Sequence, residues 1–448
     1  MRQSLTALQG TIQDLLARQD WTAVQELIEP ANVDETVTVF ERLPAASQAV
    51  FYRLLEKDRA AGVFDLLSPK QQGDLIEALQ GEEVASLFAE LDPDDRAWIL
   101  DELPATAATR LLSGLTPDER RLTSIVLGYE PGSIGRRMSP EYVSTRDTYT
   151  VEHTLQRVQQ HIDEAETIYT IPVVDNGRHV LGIVSLRDLL RHEPDTLIGS
   201  IMREARVASA YSSAEDTARL IIDRRLLALP IVDDENRLVG IVTVDDAGRI
   251  IEQEESEDSA RQGGTDPLGK PYFSTPVRSL VRSRIVWLLV LAIGATLTVQ
   301  VLSIFESELA QVTALALFVP LLIGTGGNTG NQASTTITRA LALGDIENRD
   351  IAKVLVRELS VGLLMGGILG ILGGIITGAI YGPSIGLTIG LTLAVVCTMA
   401  AAVGGIMPII ARLLGVDPAV FSNPFITTFV DATGLVVYFL IAKTVLGI

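Results

Sequence analysis

The spacing of apolar and charged positions changes character near residue 277. Before it, apolar residues come in short clusters broken by charge. After it, charge nearly disappears. Residues 285–305 carry none over 21 positions, 309–338 none over 30, and 359–411 none over 53. Residues 419–442 hold a single charge in 24 positions, Asp431. A membrane-spanning helix needs about 20 apolar residues, and Tyr381-Gly382-Pro383-Ser384 divides the longest run. The pattern therefore predicts five spanning helices. Basic loops mark the cytoplasmic side. Arg278, Arg282 and Arg284 precede the first span, the first connection is acidic (Glu306, Glu308), the second holds Arg339, Arg349, Lys353 and Arg357, and the fourth has Arg412. This places the N-terminal half in the cytoplasm and the C-terminus outside, with Lys443 as the one dissenting charge.

The N-terminal half contains two repeats. The first has a period of 24: Phe40, Phe64, Phe88 and Leu112, each followed by a Pro (Pro44, Pro69, Pro93, Pro117). Ser68-Pro69, Asp92-Pro93 and Thr116-Pro117 place an N-cap residue before Pro at the first helical position. Short helices stacked into a superhelix fit this period. The acidic residues Asp92, Asp94, Asp95 and Asp101 are expected on its surface. In the second repeat, Ile134-Gly135 and Met138 recur as Ile198-Gly199 and Met202. Ile171-Pro172-Val173-Val174-Asp175 recurs as Leu229-Pro230-Ile231-Val232-Asp233. Residues 181–188 (LGIVSLRD) recur as 239–246 (VGIVTVDD). Each unit reads as helix, strand, turn, strand, helix. It resembles a tandem pair of α+β CBS modules, a ligand-sensing fold. In that fold the last Asp of the pattern often binds ribose, here Asp188 (beside Arg187) and Asp246. ATP is thus a candidate ligand at Arg187 and Asp188, although Thr170 and Leu226 stand where an adenine sandwich would favour aromatic residues. The other reading of these Asp residues is a helix cap. Beyond the modules, residues 250–258 (IIEQEESED) form an acidic helical pattern that meets Gly263-Gly264, Pro267 and Pro271 before the first span.

Charge sharpens the division. Of 448 residues, 36 are basic and 56 acidic, for a net charge of −20. From Val277 onward there are nine basic and eight acidic residues; the first 276 hold 27 and 48. A nucleic-acid protein would need a basic face, so none is expected as a partner. A single Cys, Cys397, excludes a disulfide framework and a Cys-based zinc site. The first residues lack an apolar signal-peptide core, so no cleaved leader is expected. No catalytic triad, Walker loop or zinc motif is present, and no enzyme activity is expected.

Two features inside the apolar half carry chemistry. A carboxylate in a span is costly unless hydrated, paired or bound to an ion, and Asp431 has no basic partner in the spans. Thr427, Thr428 and Thr433 lie near it in sequence. In addition, Gly324, Gly326, Gly327 and Gly330 in residues 320–332 (PLLIGTGGNTGNQ) are expected to interrupt the helix, because irregular backbone at membrane depth is tolerated where it lines a cavity. Carbonyls there, with Asn328, Asn331 and Gln332, offer oxygen ligands. Oxygen-only coordination favours hard cations, and a site that leaves the ion several waters suits Mg²⁺. Close helix packing is the competing account of the glycines.

These motifs, with Gly415-Val416-Asp417-Pro418, Ser422-Asn423-Pro424 and Asp431-Ala432-Thr433-Gly434, resemble the MgtE family of magnesium channels and transporters from end to end. The resemblance implies a multidomain membrane protein: an α-superhelical N domain (1–130), CBS modules (131–197 and 198–250), a connecting plug helix (251–280) and a five-helix all-α transmembrane domain (281–448). It implies a plasma-membrane homodimer whose two Asp431 carboxylates hold a hydrated Mg²⁺, with Asn331, Asn328 and the Gly327 carbonyl nearby. It also implies closure by cytosolic Mg²⁺ at Asp94, Asp95, Asp223, Asp245, Asp246, Glu254, Glu257 and Asp258. Arg225 stands in a segment where the family tends to be acidic. Two alternatives stay open: transport of another divalent ion such as Co²⁺ or Mn²⁺, and a non-transporting, membrane-anchored nucleotide sensor.

Overall fold

A computed structural model describes residues 2–79, 88–89, 91–268, 272, 275–416 and 423–448. Asp417, Pro418, Ser422 and Pro271 lie outside the described residues. The chain forms two compact units, 1–255 with 268–276, and 256–267 with 277–448.

The first unit begins with short helices: α1 (Arg2–Ala17), α2 (Trp21–Ile28), α3 (Val33–Arg42), α4 (Ala45–Arg53), α5 (Lys57–Asp65), α6 (Pro69–Ala78), α7 (Pro93–Glu102), α8 (Ala105–Gly114) and α9 (Pro117–Leu127). Ser68 and Thr116 form capping boxes with Gln71 and Glu119, as the Ser-Pro and Thr-Pro pairs predict. Asp92 makes no side-chain cap bond. The period-24 apolar residues are the spine of one core: Phe40, Phe64 and Phe88 are fully buried and Leu112 packs against them. A polar device repeats with the same period. Eight residues after each spine position, a long side chain donates to its carbonyl: Gln48 to Phe40 (3.1 Å), Gln72 to Phe64 (2.8 Å), Arg96 to Phe88 (3.1 Å) and Arg120 to Leu112 (2.9 Å). A helix leaves its last carbonyls unpaired at the C-terminal end, and this residue closes one per repeat.

The CBS pair comprises α10 (Val151–Gln160), β1 (Thr170–Val174), β2 (Val180–Ser185), α11 (Leu186–Arg191), α12 (Ile198–Ile201), β3 (Ala208–Ser209), α13 (Ala214–Asp223), β4 (Ala228–Val232), β5 (Leu238–Thr243) and α14 (Val244–Gln262). β1 and β2 pair antiparallel, as do β4 and β5, in the same register and with an irregularity at the same place, Val173/Val174 and Ile231/Val232. β3 adds to β4 in parallel. The sequence repeat is built crosswise. Ser139, ahead of the first module's strands, bonds both ways with Ile241 of the second (2.9 Å each), while Arg203, ahead of the second module's strands, bonds both ways with Ile183 of the first (2.9 Å each). Met138 accordingly packs over Gly240 and Met202 over Gly182, where a Cβ would meet Met138 Sδ at 2.6 Å and the Arg203 carbonyl at 2.6 Å. That contact explains the recurring Met and Gly. α14 carries the last CBS side chains and the acidic stretch on one continuous helix.

The second unit holds α15 (Val277–Ile304), the short α16 (Glu306–Gln311), α17 (Ala314–Ala342), α18 (Ile351–Tyr381), α19 (Pro383–Leu413) and α20 (Asn423–Leu446). Among the described residues, four helices, spanning 277–304, 348–381, 383–413 and 424–446, are long and apolar enough to cross a membrane. The remaining expected span, α17, is 29 residues long but carries the Gly/Asn/Thr segment in its middle. That segment is not interrupted: α17 is a continuous α-helix through Gly324–Gln332, contrary to the expectation of irregular backbone. Gly326, Gly327 and Gly330 are packing positions, while Gly324 faces open space. A Cβ at Gly326 would meet Val396 Cγ1 at 2.8 Å, and one at Gly330 would meet Ile426 Cγ2 at 2.7 Å, so α17 lies close against α19 and α20. Small residues permit such approach between membrane helices, where the alternative solvent cannot compete for backbone bonds. A second small-residue seam, Gly362, Gly366 and Gly370 against Ala394, Cys397 and Gly390, holds α18 to α19. Glu308 on α16 binds Lys443 at 3.1 Å, so the dissenting basic residue is neutralised by the acidic first connection.

Candidate ion-binding sites

In the membrane unit, α17 and α20 bring together part of the predicted pore set. Gly327 faces α20: a Cβ there would lie 3.0 Å from Thr427 Cγ2 and 3.7 Å from Asp431 Oδ1. Thr427, one helical turn before Asp431, donates to Asn331 Oδ1 at 3.2 Å. Asp431 is half-buried, and its buried Oδ1 has no hydrogen-bond partner among the described residues. Asn331 and Gly327, four apart on α17, share a face with this carboxylate. Asn328 is exposed on the single chain, turned from that face by about 100°. The Gly327 carbonyl belongs to a regular helix, so it offers only its second lone pair instead of an unwound ligand. Thr427 was the member missed as a neighbour of Asn331; its place one turn below Asp431 was the only signal.

In the first unit, Asp94 is buried instead of lying on the surface, and its Oδ1 has no hydrogen-bond partner among the described residues. Burial, and then the neighbouring Asp95 and Asp246, push its carboxyl well above the usual range. Asp95 is pushed up to about 6 by burial, against the opposing pull of Arg249. Glu166 is pushed up to about 8 by burial and by Asp246 and Asp92. Neither Glu166 nor Arg249 was visible as a member of this group, because no sequence spacing connects them to α7. Arg249 reaches Asp95 at 3.3 Å and also pairs with Asp246. Asp223 ends α13 and is exposed, with Arg225 two residues on in the left-handed region (φ 52°). Asp245 is exposed on the first turn of α14; Glu254, Glu257 and Asp258 lie further along it, with Glu257 paired to Arg261 at 2.9 Å. Among the described residues, no three His, Cys, Asp or Glu side chains converge as a metal site.

Of the two Asp residues of the CBS repeat, Asp188 closes a capping box with Ser185, and Asp246 accepts from the corresponding Thr243. Ser185 donates to Asp188 Oδ2 at 2.6 Å and Arg203 to Asp188 Oδ1 at 2.8 Å. Asp188 is buried, which raises its pKa, but the Ser185 bonds and the Arg203 charge hold it below the usual range. Asp246 repeats the device with Thr243, at 2.7 Å, and Arg249. Arg187 is exposed.

An acidic helical domain, a crosswise CBS pair and a bundle of apolar helices holding Asp431 define a multi-pass membrane protein with a sensor-like N-terminal half. Residues 31–132 match the MgtE intracellular N domain, 132–195 and 198–252 the CBS domain, and 319–441 MgtE, a divalent cation transporter family. The magnesium transporter MgtE of Thermus thermophilus is 39% identical over 71% of this chain and 71% of its own length. That of Enterococcus faecalis is 32% identical over 71% and 70%. The crystal structure of the cytosolic domain of the Mg²⁺ channel MgtE in complex with ATP is 34% identical, covering 54% of this chain and 99% of its own, with a TM-score of 0.49. The chain belongs to the MgtE family.

Proposed function

We propose that the chain carries Mg²⁺ across the cell membrane as a homodimer, with no catalytic step, and that Asp431 supplies the charge that attracts the ion. One observation carries this: a carboxylate on a membrane helix whose buried oxygen lacks a partner among the described residues, beside Asn331, Thr427 and Gly327. An unpaired intramembrane charge is retained at a cost that a passing cation offsets. One chain offers too few oxygens for a full shell, which favours a hydrated ion and a second copy across a shared axis. Co²⁺ and Mn²⁺ are the competing cargoes. The acidic N-terminal half then acts as the sensor: cytosolic Mg²⁺ lowers the repulsion among Asp94, Asp223, Asp245, Glu254, Glu257 and Asp258 and favours the closed state, which stabilises it with occupancy. Asp95 and Asp246 are already bridged by Arg249, and Glu257 is paired with Arg261, so these three contribute less. A nucleotide at Asp188 and Arg187 has to displace Arg203 first, which weighs against ATP as a tight ligand.

The test is Mg²⁺ flux into proteoliposomes with Co²⁺ and Mn²⁺ as competitors. Asp431→Ala is expected to abolish flux while the protein still melts cooperatively, and removal of residues 1–130 to leave flux intact but weaken its inhibition by millimolar Mg²⁺ on the cytosolic face. Normal uptake by a folded Asp431→Ala protein refutes the pore assignment.

A further inference from the structure

One face of α7 presents Asp95, Trp98 and Asp101, spaced three residues apart, to the CBS pair. Each meets an arginine. Arg249, at the start of α14, places Nη1 3.3 Å from Asp95 Oδ1 and donates through Nη2 to Asp246 Oδ1. Arg137 lies over the Trp98 ring with its guanidinium carbon 3.8 Å from the centroid, and Arg249 is 5.9 Å from the same centroid. Arg136 donates to Asp101 twice, at 2.6 and 3.1 Å. Trp98 is buried, and Arg136 and Asp101 are 10% and 28% exposed at their side chains. Guanidinium suits this work because it pairs in two directions and stacks on aromatic faces while staying charged.

We propose that these arginines form a clasp that keeps the N domain docked on the CBS pair without any divalent ion, with Arg249 as the internal cation bridging Asp95 of the N domain to Asp246 of the second CBS module. In a half-chain so rich in carboxylates, the N domain–CBS contact would otherwise need an external cation to offset the repulsion between Asp95 and Asp246. Arg249 supplies that charge covalently, at fixed occupancy. The clasp goes beyond the proposed transport function and does not depend on it: ion-dependent closure then acts through residues other than this contact.

The experiment reads docking directly. Spin labels at Ser113→Cys on the N domain and Asp234→Cys on the second CBS module, both exposed positions, are placed in full-length protein with the native Cys397 replaced by Ser. Pulsed dipolar spectroscopy is recorded in EDTA and in millimolar Mg²⁺. Unsubstituted Arg249 is expected to give one narrow distance in both conditions. Arg249→Met is expected to lose about tenfold of the docked population in EDTA, an effect between those of an exposed and a buried ion pair. Asp95→Asn approaches the same contact from the other side, and the double variant is expected to be no worse than either single one. Circular dichroism and cooperative melting show which variants remain folded. A broad distance in EDTA with Arg249 intact overturns the clasp. So does native docking of Arg249→Met in EDTA, or full additivity of the two substitutions. None of these readouts involves ion flux, so a failure of the transport proposal leaves them unaffected.

Discussion

Replacing Asp431 by Asn keeps the shape of the side chain and removes its charge. A Mg²⁺ ion held through one of its own waters sits about 4.8 Å from the carboxylate oxygen, given a metal–oxygen distance of about 2.1 Å and a short hydrogen bond of about 2.7 Å. At an effective dielectric near 20, that geometry is worth about 7 kcal/mol of attraction for a divalent ion and about 3.5 for a monovalent one. The difference is what charge contributes to selectivity. Asp431 is only half-buried, so screening leaves a smaller share, about 2 kcal/mol, or roughly thirtyfold in the Mg²⁺/Na⁺ permeability ratio. Among the described residues, no cation is paired with Asp431 to take over the lost charge. Reversal potentials in planar bilayers under mixed Mg²⁺ and Na⁺ measure this ratio, and melting in detergent checks folding. If Asp431→Asn carries wild-type Mg²⁺ current with no added Na⁺ or K⁺ leak, ion selection rests on fit instead of field, and the electrostatic account fails.

Arg96→Met should destabilise the N domain by about 1–3 kcal/mol, read by urea unfolding, because it leaves the carbonyls of Phe88 and Ala89 without their donor in a buried setting; unchanged stability would mean water replaces the guanidinium. Glu166 predicts a pH dependence. Its carboxyl titrates near 8 in the folded protein and near the ordinary value for Glu when unfolded, so the folded state holds more protons between those values. Stability of the first unit is therefore expected to rise as pH falls from about 8 toward 5 and to be lost as pH rises through 8, with Glu166→Gln flattening the profile. A melting temperature independent of pH over that window, in EDTA, contradicts the half-buried placement of Glu166 beside Asp246 and Asp92.

How much was legible follows from the range of each interaction. The period-24 spine, the twin CBS motifs and the spans arise from local periodicity and hydropathy, which a sequence displays directly. The Ser68 and Thr116 caps are contacts between residues three apart, and they appear as the dipeptides suggest. The expectation for residues 324–332 errs because it treats four glycines as a break lining a cavity, when close helix packing is the other account of them. In a tightly packed membrane bundle an unbroken helix satisfies every backbone group, and the missing side chains admit α19 and α20.

Sequence alone determined that the chain has an acidic, repeat-built half and an apolar half with a single carboxylate in its last span, since net charge, period and uncharged run length involve no folding. It also determined that Asp431, Asn331 and Gly327 were the residues to watch. Only the tertiary structure decided that Thr427 joins Asn331, that Asp188 is held by Arg203, and that Met138 and Met202 pack into the opposite module. It alone placed Asp94 in the interior and set Arg249 between Asp95 and Asp246. These pairings join positions up to 154 residues apart, and a carboxylate reads the same in sequence whether it faces water, a guanidinium or another carboxylate. Which of these it faces is set by how the helices pack, and that choice separates a solvated surface from a clasp or an ion site.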